Sequence, residues 1–293
     1  MPSASPAVFI SADMEGISGI IDNDYTTPGH SDYPRARQLM TDDVNAAVEG
    51  ALAGGAGDVV VNDSHGPMRN ILIERLHPAA RLISGSPKRL SMMTGIADGP
   101  DTVLVGGDGQ RRWDMAFLVG YHARAGVADA ILDHTWTYSI FEVHLNGREV
   151  GEIGLNAAVA GSLGIPVALV TGDEKACAEA SELLGTGLQT AVVKRAVGRY
   201  AAELLPLPAA HARIRAAAEA AVAGPRPAPF VVAPPIHLVV GWGKTMHAEM
   251  AATVPGSRRI DGRHVEITLD NMLDVYLAWR AFNSLAKIGR AHV

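Results

Sequence analysis

Residues 7–19 read Ala7-Val8-Phe9-Ile10-Ser11-Ala12-Asp13-Met14-Glu15-Gly16-Ile17-Ser18-Gly19, an apolar run that ends in two acids and is broken by two glycines. Val8, Phe9 and Ile10 form the continuous apolar stretch of a strand buried on both faces, and Gly16 and Gly19 close it. Asp13 and Glu15 are two apart, so an extended backbone points both carboxylates to the same side. Like charges side by side at the end of a buried strand repel, and a cation between them removes the repulsion. An isolated pair of this kind is more often two solvated loop acids, so the rest of the chain has to decide.

Working outward, a polar loop to about Pro34 leads to a helical pattern through Ala53, with Leu39, Val44, Ala47, Val48 and Leu52 as its apolar positions and Gly54-Gly55 as its stop. The next strand is Asp58–Asn62. Strand, helix, strand in that order is a βαβ unit and predicts a parallel sheet with right-handed crossovers. Further strands are expected at Arg81–Ser84, Met115–Val119 and Pro166–Val170, the last followed by a helix over Glu174–Leu184. His134–Leu145 is β-branched and aromatic, and Asn146-Gly147 is a hairpin turn that sends the chain back through Arg148–Gly151. Leu155, Ala158 and Val159 recur at helical spacing, which puts Glu152 in the first turn of a helix. The Gly- and Asp-rich stretch Asp98–Trp113 has the composition of an exposed insertion.

Composition shifts near residue 200, where an alanine-rich helix over Pro208–Ala223 runs into the proline-rich segment Gly224–Pro229. Strand (Ile236–Val240), helix (Lys244–Ala252), strand (His264–Leu269) and a helix capped by Asp270 follow. That helix repeats Met272, Tyr276, Trp279 and Phe282 and, with Leu273 and Leu277, carries more large apolar groups than one face needs, and some are expected to bury against another subunit. The fold class expected is therefore α/β: a Rossmann-like, mostly parallel sheet with flanking helices over residues 1–200, plus a smaller C-terminal α+β domain over 201–293 that serves oligomerisation or pocket closure.

The 293 residues are 48% hydrophobic and 19% charged with a net charge of −6, a globular composition without the basic footprint that nucleic acid requires. Met1–Pro6 has no positive region, and no apolar run approaches the ~20 residues of a membrane span, so a cytoplasmic protein with no membrane partner is expected. Cys177, the single cysteine, excludes an internal disulfide and a thiolate metal cluster.

Potential metal ligands follow three of the expected strands: Asp13 and Glu15 the first, His65 the second, and His122 the run Phe117–Tyr121. Ligands of an open parallel sheet bind outside the carboxyl ends of its strands, so separate strands bring these side chains to one edge. Glu152 at its helix start and His134 at the hairpin's beginning can join them. Each has a plain alternative, His65 as a turn cap, His122 as a buried core histidine, Glu152 as a partner of the helix dipole and His134 as an ordinary strand residue. Carboxylate and imidazole without thiolate suit Zn²⁺, and also Mn²⁺ or Co²⁺. Five ligands exceed the three of a single catalytic zinc, and a dinuclear site with one bridging carboxylate accounts for the surplus.

The segments Ser11–Gly19, Val61-Asn-Asp-Ser-His65, Leu76-His-Pro78, Gly120-Tyr-His122-Ala-Arg124 and Gly151-Glu152-Ile-Gly-Leu-Asn-Ala157 together resemble the M55 family of D-aminopeptidases, historically called dipeptide transport proteins. The resemblance runs over nearly the whole chain, including Met250–Gly256 and Asn271–Tyr276. It implies a dinuclear zinc aminopeptidase with two metals per subunit: Asp13 bridging, Glu15 and His122 holding one ion, and His65 and Glu152 the other. It also implies that His134 is catalytic, that the substrate is a short peptide or aminoacyl amide, and that the chain forms a ring-like homodecamer. With the five ligands complete, His134 is left for proton transfer or for donation to the oxyanion. The sequence departs from the family in the loop Gly66–Arg69, around Gly106–Arg112 and in Gly241–His247, each placed among the candidates to reshape the pocket. A dinuclear phosphoesterase would use the same ligand types, with Arg124 as its one cation near the site. A non-catalytic peptide-binding protein is the reading from outside enzymology.

Overall fold

The structure is a computed structural model that describes residues 5–97 and 113–288. The chain begins with β1 (Ala7–Ala12), the single turn α1 (Asn23–Thr26), α2 (Tyr33–Ala53), β2 (Asp58–Asp63), β3 (Ala80–Ile83) and β4 (Met115–Tyr121). The middle holds β5 (Ile140–Leu145), β6 (Arg148–Glu149), α3 (Glu152–Ser162), β7 (Val167–Asp173), α4 (Glu174–Leu184), β8 (Gln189–Gly198), β9 (Ala201–Leu204) and α5 (Leu207–Ala223). The remainder is β10 (Ile236–Trp242), α6 (Thr245–Ala251), β11 (Arg258–Arg259), β12 (His264–Leu269) and α7 (Met272–Ile288).

Two sheets result. The first is seven-stranded in the order β3-β2-β1-β4-β7-β8-β9, parallel throughout except for the last pair. The second, β11-β12-β10-β5-β6, is antiparallel. This is the expected α/β class. Sheet membership crosses residue 200 in both directions: the hairpin β5–β6 belongs to the second sheet, and β9 to the first.

β1 is fully buried, and its side chains alternate between two cores. Val8, Ile10 and Ala12 face one core with residues of α2 and α5, while Ala7 and Phe9 face another with α3, α7 and the second sheet. Small residues let α2 and α5 approach closely. A Cβ at Gly50 would lie 2.2 Å from the Arg215 carbonyl oxygen, so the contact needs glycine.

The strand order reverses at β1, whose neighbours are β2 on one side and β4 on the other. The crevice at such a switch point, outside the carboxyl ends of the strands, is where this fold class binds ligands.

Several expectations need correction. His134 is not a strand residue: β5 starts at Ile140, and the segment before it is irregular, with positive φ at Leu132 (52°) and Trp136 (66°). Asn271 rather than Asp270 caps α7, its Oδ1 accepting from the Asp274 N–H at 2.9 Å. Residues 98–112 of the expected insertion, which include Gly106–Arg112, lie outside the described residues, and Trp113 is buried with its indole N–H donating to the Gly95 carbonyl at 2.8 Å. Met272, Tyr276, Trp279 and Phe282 are buried within their own chain, whereas Leu273 and Leu277 of the same helix are only partly buried.

Candidate metal centre

Asp13 and Glu15 follow β1, His65 follows β2, His122 directly follows β4, and Glu152 opens α3. The fold brings all five together with His134. Asp13 lies between two groups: its Oδ1 is 3.3 Å from His65 Nδ1, and its Oδ2 is 3.4 Å from His122 Nε2. His65 Nδ1 also lies 3.0 Å from Glu15 Oε2, and His122 Nε2 lies 3.3 Å from Glu152 Oε1. Two clusters with metal-ligand spacing therefore share one edge: Asp13, Glu15 and His65 on one side, and His122, His134 and Glu152 on the other. This differs from the pairing that the resemblance implies, because β2 delivers His65 to Glu15, whereas β4 delivers His122 to the first turn of α3.

The tautomers test whether these residues fit a cation. His65 Nε2 lies 2.8 Å from the Thr26 carbonyl and His122 Nδ1 lies 3.0 Å from the Ala123 carbonyl, so each of these nitrogens carries the hydrogen. In the neutral rings, Nδ1 of His65 and Nε2 of His122 are then bare lone pairs aimed at carboxylate oxygens, a repulsive arrangement that a proton or a metal must relieve. Asp13 Oδ2, Glu15 Oε2 and His122 Nε2 are buried and have no hydrogen-bond partner. Oxygen and nitrogen donors orphaned around a common point are the donor set of a borderline divalent ion, and the residues fit it.

The charges agree. Burial opposes ionisation of His65 and His122, yet Glu15 and Asp13 outweigh it for the first, and Glu152 and Asp13 for the second, pushing both pKa values well above the ordinary range. Burial likewise opposes the Asp13 and Glu15 carboxylates, and their histidine partners draw both below the usual values. His134 goes the other way: burial, with the His122 charge beside it, lowers its pKa. Its Nδ1 lies 2.8 Å from the Leu132 carbonyl and carries the hydrogen, leaving Nε2 as an acceptor facing the centre. That Nε2 is 3.8 Å from Glu152 Oε1 and 4.0 Å from Glu15 Oε1, and the ring stacks on His122 at 3.9 Å.

Main-chain contacts hold the scaffold. Asp13 and Gly16 donate their backbone N–H groups to the Val119 and Gly120 carbonyls, both at 2.8 Å, locking the ends of β1 and β4 together. A Cβ on Gly16 would fall 1.9 Å from the Tyr121 carbonyl oxygen, so this approach also requires glycine. The Trp136 N–H donates to Glu152 Oε1 at 2.6 Å and fixes that carboxylate.

The profile of the M55 peptidase family, described as D-aminopeptidase, matches residues 7–281. The chain belongs to this family. It is a peptidase by that membership, and it is 34% identical over 282 residues to a D-aminopeptidase of Bacillus subtilis (strain 168), covering 95% of this chain and 97% of the relative. Among solved structures, the Zn-dependent D-aminopeptidase DppA of Bacillus subtilis, described as a self-compartmentalizing protease, superposes with a TM-score of 0.88 at 33% identity, over 96% of this chain and 98% of that one.

The centre lies in a cavity of about 420 Å³. Gly66 and Met68 of the loop after His65 line it, whereas no residue of Gly241–His247 does. Arg124 is also absent from its lining: its guanidinium pairs with Glu149 at 3.1 Å, and its backbone N–H donates to Glu179 at 2.8 Å. Sequence reasoning missed Lys194 of β8. Its buried Nζ donates to the carbonyls of Glu15 (2.6 Å), Ile17 (2.9 Å) and Ile20 (2.6 Å), clamping the loop that carries Glu15. Burial lowers its pKa to about 8. Asp43 of α2 grips the same loop by accepting the Ser18 N–H at 2.8 Å. A lone lysine amid the apolar positions of a strand was the available signal.

Proposed function

We propose that this chain is a dinuclear zinc aminopeptidase that removes the N-terminal residue, in the D configuration, from short peptides or aminoacyl amides. The observation that carries the reading is the division of the two Asp13 oxygens between two histidine–carboxylate groups, in a chain that belongs to a family of D-aminopeptidases. Asp13 would bridge, Glu15 and His65 would complete one ion, and His122 and Glu152 the other. Bound zinc lowers the pKa of water toward ~7 and polarises a carbonyl, the two requirements of peptide hydrolysis at neutral pH. Each chain would hold two zinc ions, and Mn²⁺ or Co²⁺ would replace them.

His134 is assigned the proton. Its Nε2 stands farther from the carboxylates than the 3.0–3.4 Å contacts of His65 and His122, and its lowered pKa keeps it neutral and able to accept a proton at physiological pH. The Leu132 carbonyl fixes the tautomer that aims the acceptor at the centre.

The protein is proposed to work in the cytoplasm as a homo-oligomer, a decamer by family resemblance. Supporting an assembly, Tyr138, Phe141 and Tyr200 are 54%, 60% and 50% exposed and share one hollow beside the centre. The segment after residue 200 is proposed to close the pocket through α7, four of whose residues line the cavity. The test is hydrolysis of a D-aminoacyl amide with the metal content measured on the same preparation: activity that disappears on chelation and returns with Zn²⁺ is expected, and full activity after exhaustive chelation would overturn the reading.

A further inference from the structure

α2 and α5 meet on two faces that a glycine holds together. Asp43 lies seven residues before Gly50, and His211 four before Arg215, so each pair shares one face of its helix. The close approach of Gly50 to the Arg215 carbonyl therefore also brings His211 against Asp43. His211 Nε2 stands 3.2 Å from Asp43 Oδ1, and neither atom has another hydrogen-bond partner among the described residues. The second Asp43 oxygen, Oδ2, accepts the N–H of Ser18 at 2.8 Å, in the loop that carries Glu15.

Three acids of α2 act on His211: Asp42, Asp43 and Glu49. Two have a permanent cation of their own, Asp42 the Arg75 guanidinium at 2.9 Å and Glu49 that of Arg215 at 3.8 Å, and all four of these side chains are partly exposed. Asp43 differs on both counts. Its side chain is buried, and the group beside it is an imidazole whose charge depends on pH. A buried carboxylate held by one N–H is under-satisfied, and a second donor fixes its orientation as well as balancing its charge. The strands packed on α5 offer no substitute. Lys194 of β8 commits its Nζ to the Glu15, Ile17 and Ile20 carbonyls, Arg195 pairs with Glu174, and Asp173 of β7 caps α4 by accepting the Ala176 N–H. On α5 itself, the Arg213 guanidinium donates to the Val192 carbonyl at 2.8 Å. The Asp43 carboxylate lifts the His211 pKa above its ordinary value, with Asp42 and Glu49 adding to the lift and burial opposing it.

We propose that His211 is a positioning residue for the metal centre: its imidazolium orients Asp43, and Asp43 in turn anchors the loop that presents Glu15. The proposal rests on the metal-centre reading, because the loop serves the reaction through the ligand it carries. Lys194 grips that loop by its carbonyls and Asp43 by an N–H, so the two anchors hold different groups and neither replaces the other. The Asp43 anchor is the adjustable one, since a cationic His211 ties the carboxylate more firmly than a neutral ring does.

The test measures zinc affinity and the hydrogen-exchange protection of the Ser18 amide in the unsubstituted chain, His211→Ala and His211→Gln. The alanine variant is expected to bind the zinc next to Glu15 about tenfold more weakly, the size of one charge-assisted contact, and to lose Ser18 protection by a similar factor. With zinc in excess its kcat should return to the unsubstituted value, because the bound ion then holds the loop. His211→Gln keeps a neutral donor and should recover part of the affinity, and it carries the test if the alanine variant does not fold. Without metal, the glutamine variant should melt below the unsubstituted chain at about pH 6 and together with it at about pH 9. The sign follows from the raised pKa of His211: its contribution is complete below the unfolded value of 6.5 and is lost as pH climbs through the folded value. Comparing these two proteins cancels the other titrating groups, Lys194 among them. Unchanged zinc affinity and Ser18 protection in His211→Ala, or a stability difference from His211→Gln that is the same at both pH values, would overturn the proposal alone. An unsubstituted chain that takes up no zinc would overturn the metal-centre reading and the proposal with it.

Discussion

The floor of the pocket and its far wall are built in opposite ways. On the floor, Asp13, Glu15, His65 and His122 follow the ends of three adjacent parallel strands, so main-chain ladders fix their spacing. On the wall, Arg280 and Lys287 stand on one helix that reaches the site only through tertiary packing. The two are joined by a buried chain of hydrogen bonds: Ser11 Oγ to Tyr121 Oη at 2.7 Å, Asn156 Nδ2 to Tyr121 Oη at 2.8 Å, and Tyr276 Oη to Asn156 Oδ1 at 2.9 Å. The floor is therefore set by strand register, whereas the wall is set by how a helix packs.

If the floor is the rigid partner, the largest loss should come from its clamp. Lys194→Met leaves three buried carbonyls without their donor, at a cost of about 3 kcal/mol or more, and should loosen the ion next to Glu15 before the one next to Glu152. A thermal melt combined with metal titration reads both, and uniform weakening of the two ions would argue against a local clamp. Next, His134→Ala should keep both metals while kcat falls by ~10²-fold, since its contact is needed chiefly in the transition state. Loss of metal along with turnover would make His134 a ligand, which its membership of the His122–Glu152 cluster allows geometrically.

The link between floor and wall is worth less. Tyr276→Phe removes one buried hydrogen bond and should cost about 1 kcal/mol in a denaturant melt, with kcat on an uncharged aminoacyl amide changing little. Smallest is a pH trend confined to the floor. The raised pKa values of His65 and His122 add stability to the metal-free protein that is complete below the unfolded value of 6.5 and is lost as pH climbs through the higher folded values. The melting temperature of the metal-free form should therefore decline above neutral pH, while metal uptake, which displaces these protons, strengthens over the same range. A metal-free melting temperature that rises with pH would break the comparison at its base.

The floor was legible because it is local. A strand that ends in Asp13-x-Glu15, and strands that end at His65 and His122, announce ligands within a few residues of the strand itself. Strand ends do not say which candidate ligands lie together, and here Glu15 groups with His65 because β1 and β2 are neighbours while His122 meets Glu152 across the other side of Asp13. The wall was hidden for a physical reason. A polar stripe at 280, 283, 284 and 287 looks like any solvated helix face until tertiary packing puts a cavity against it. β8 and β9 carry no clear strand signal because polar residues interrupt the run, among them Lys194, which clamps the loop that carries Glu15.

The claim on which all of this depends is that Asp13 serves two ions at once. It is tested most directly by counting zinc per chain in the unsubstituted protein, Asp13→Ala and Glu15→Ala after equal dialysis, with the melting curve recorded to confirm folding. Two ions are expected in the first, close to none in the second and one in the third, because Asp13 sets one oxygen 3.3 Å from His65 and the other 3.4 Å from His122. A single ion retained in both variants would contradict a shared carboxylate and reduce the centre to two independent sites.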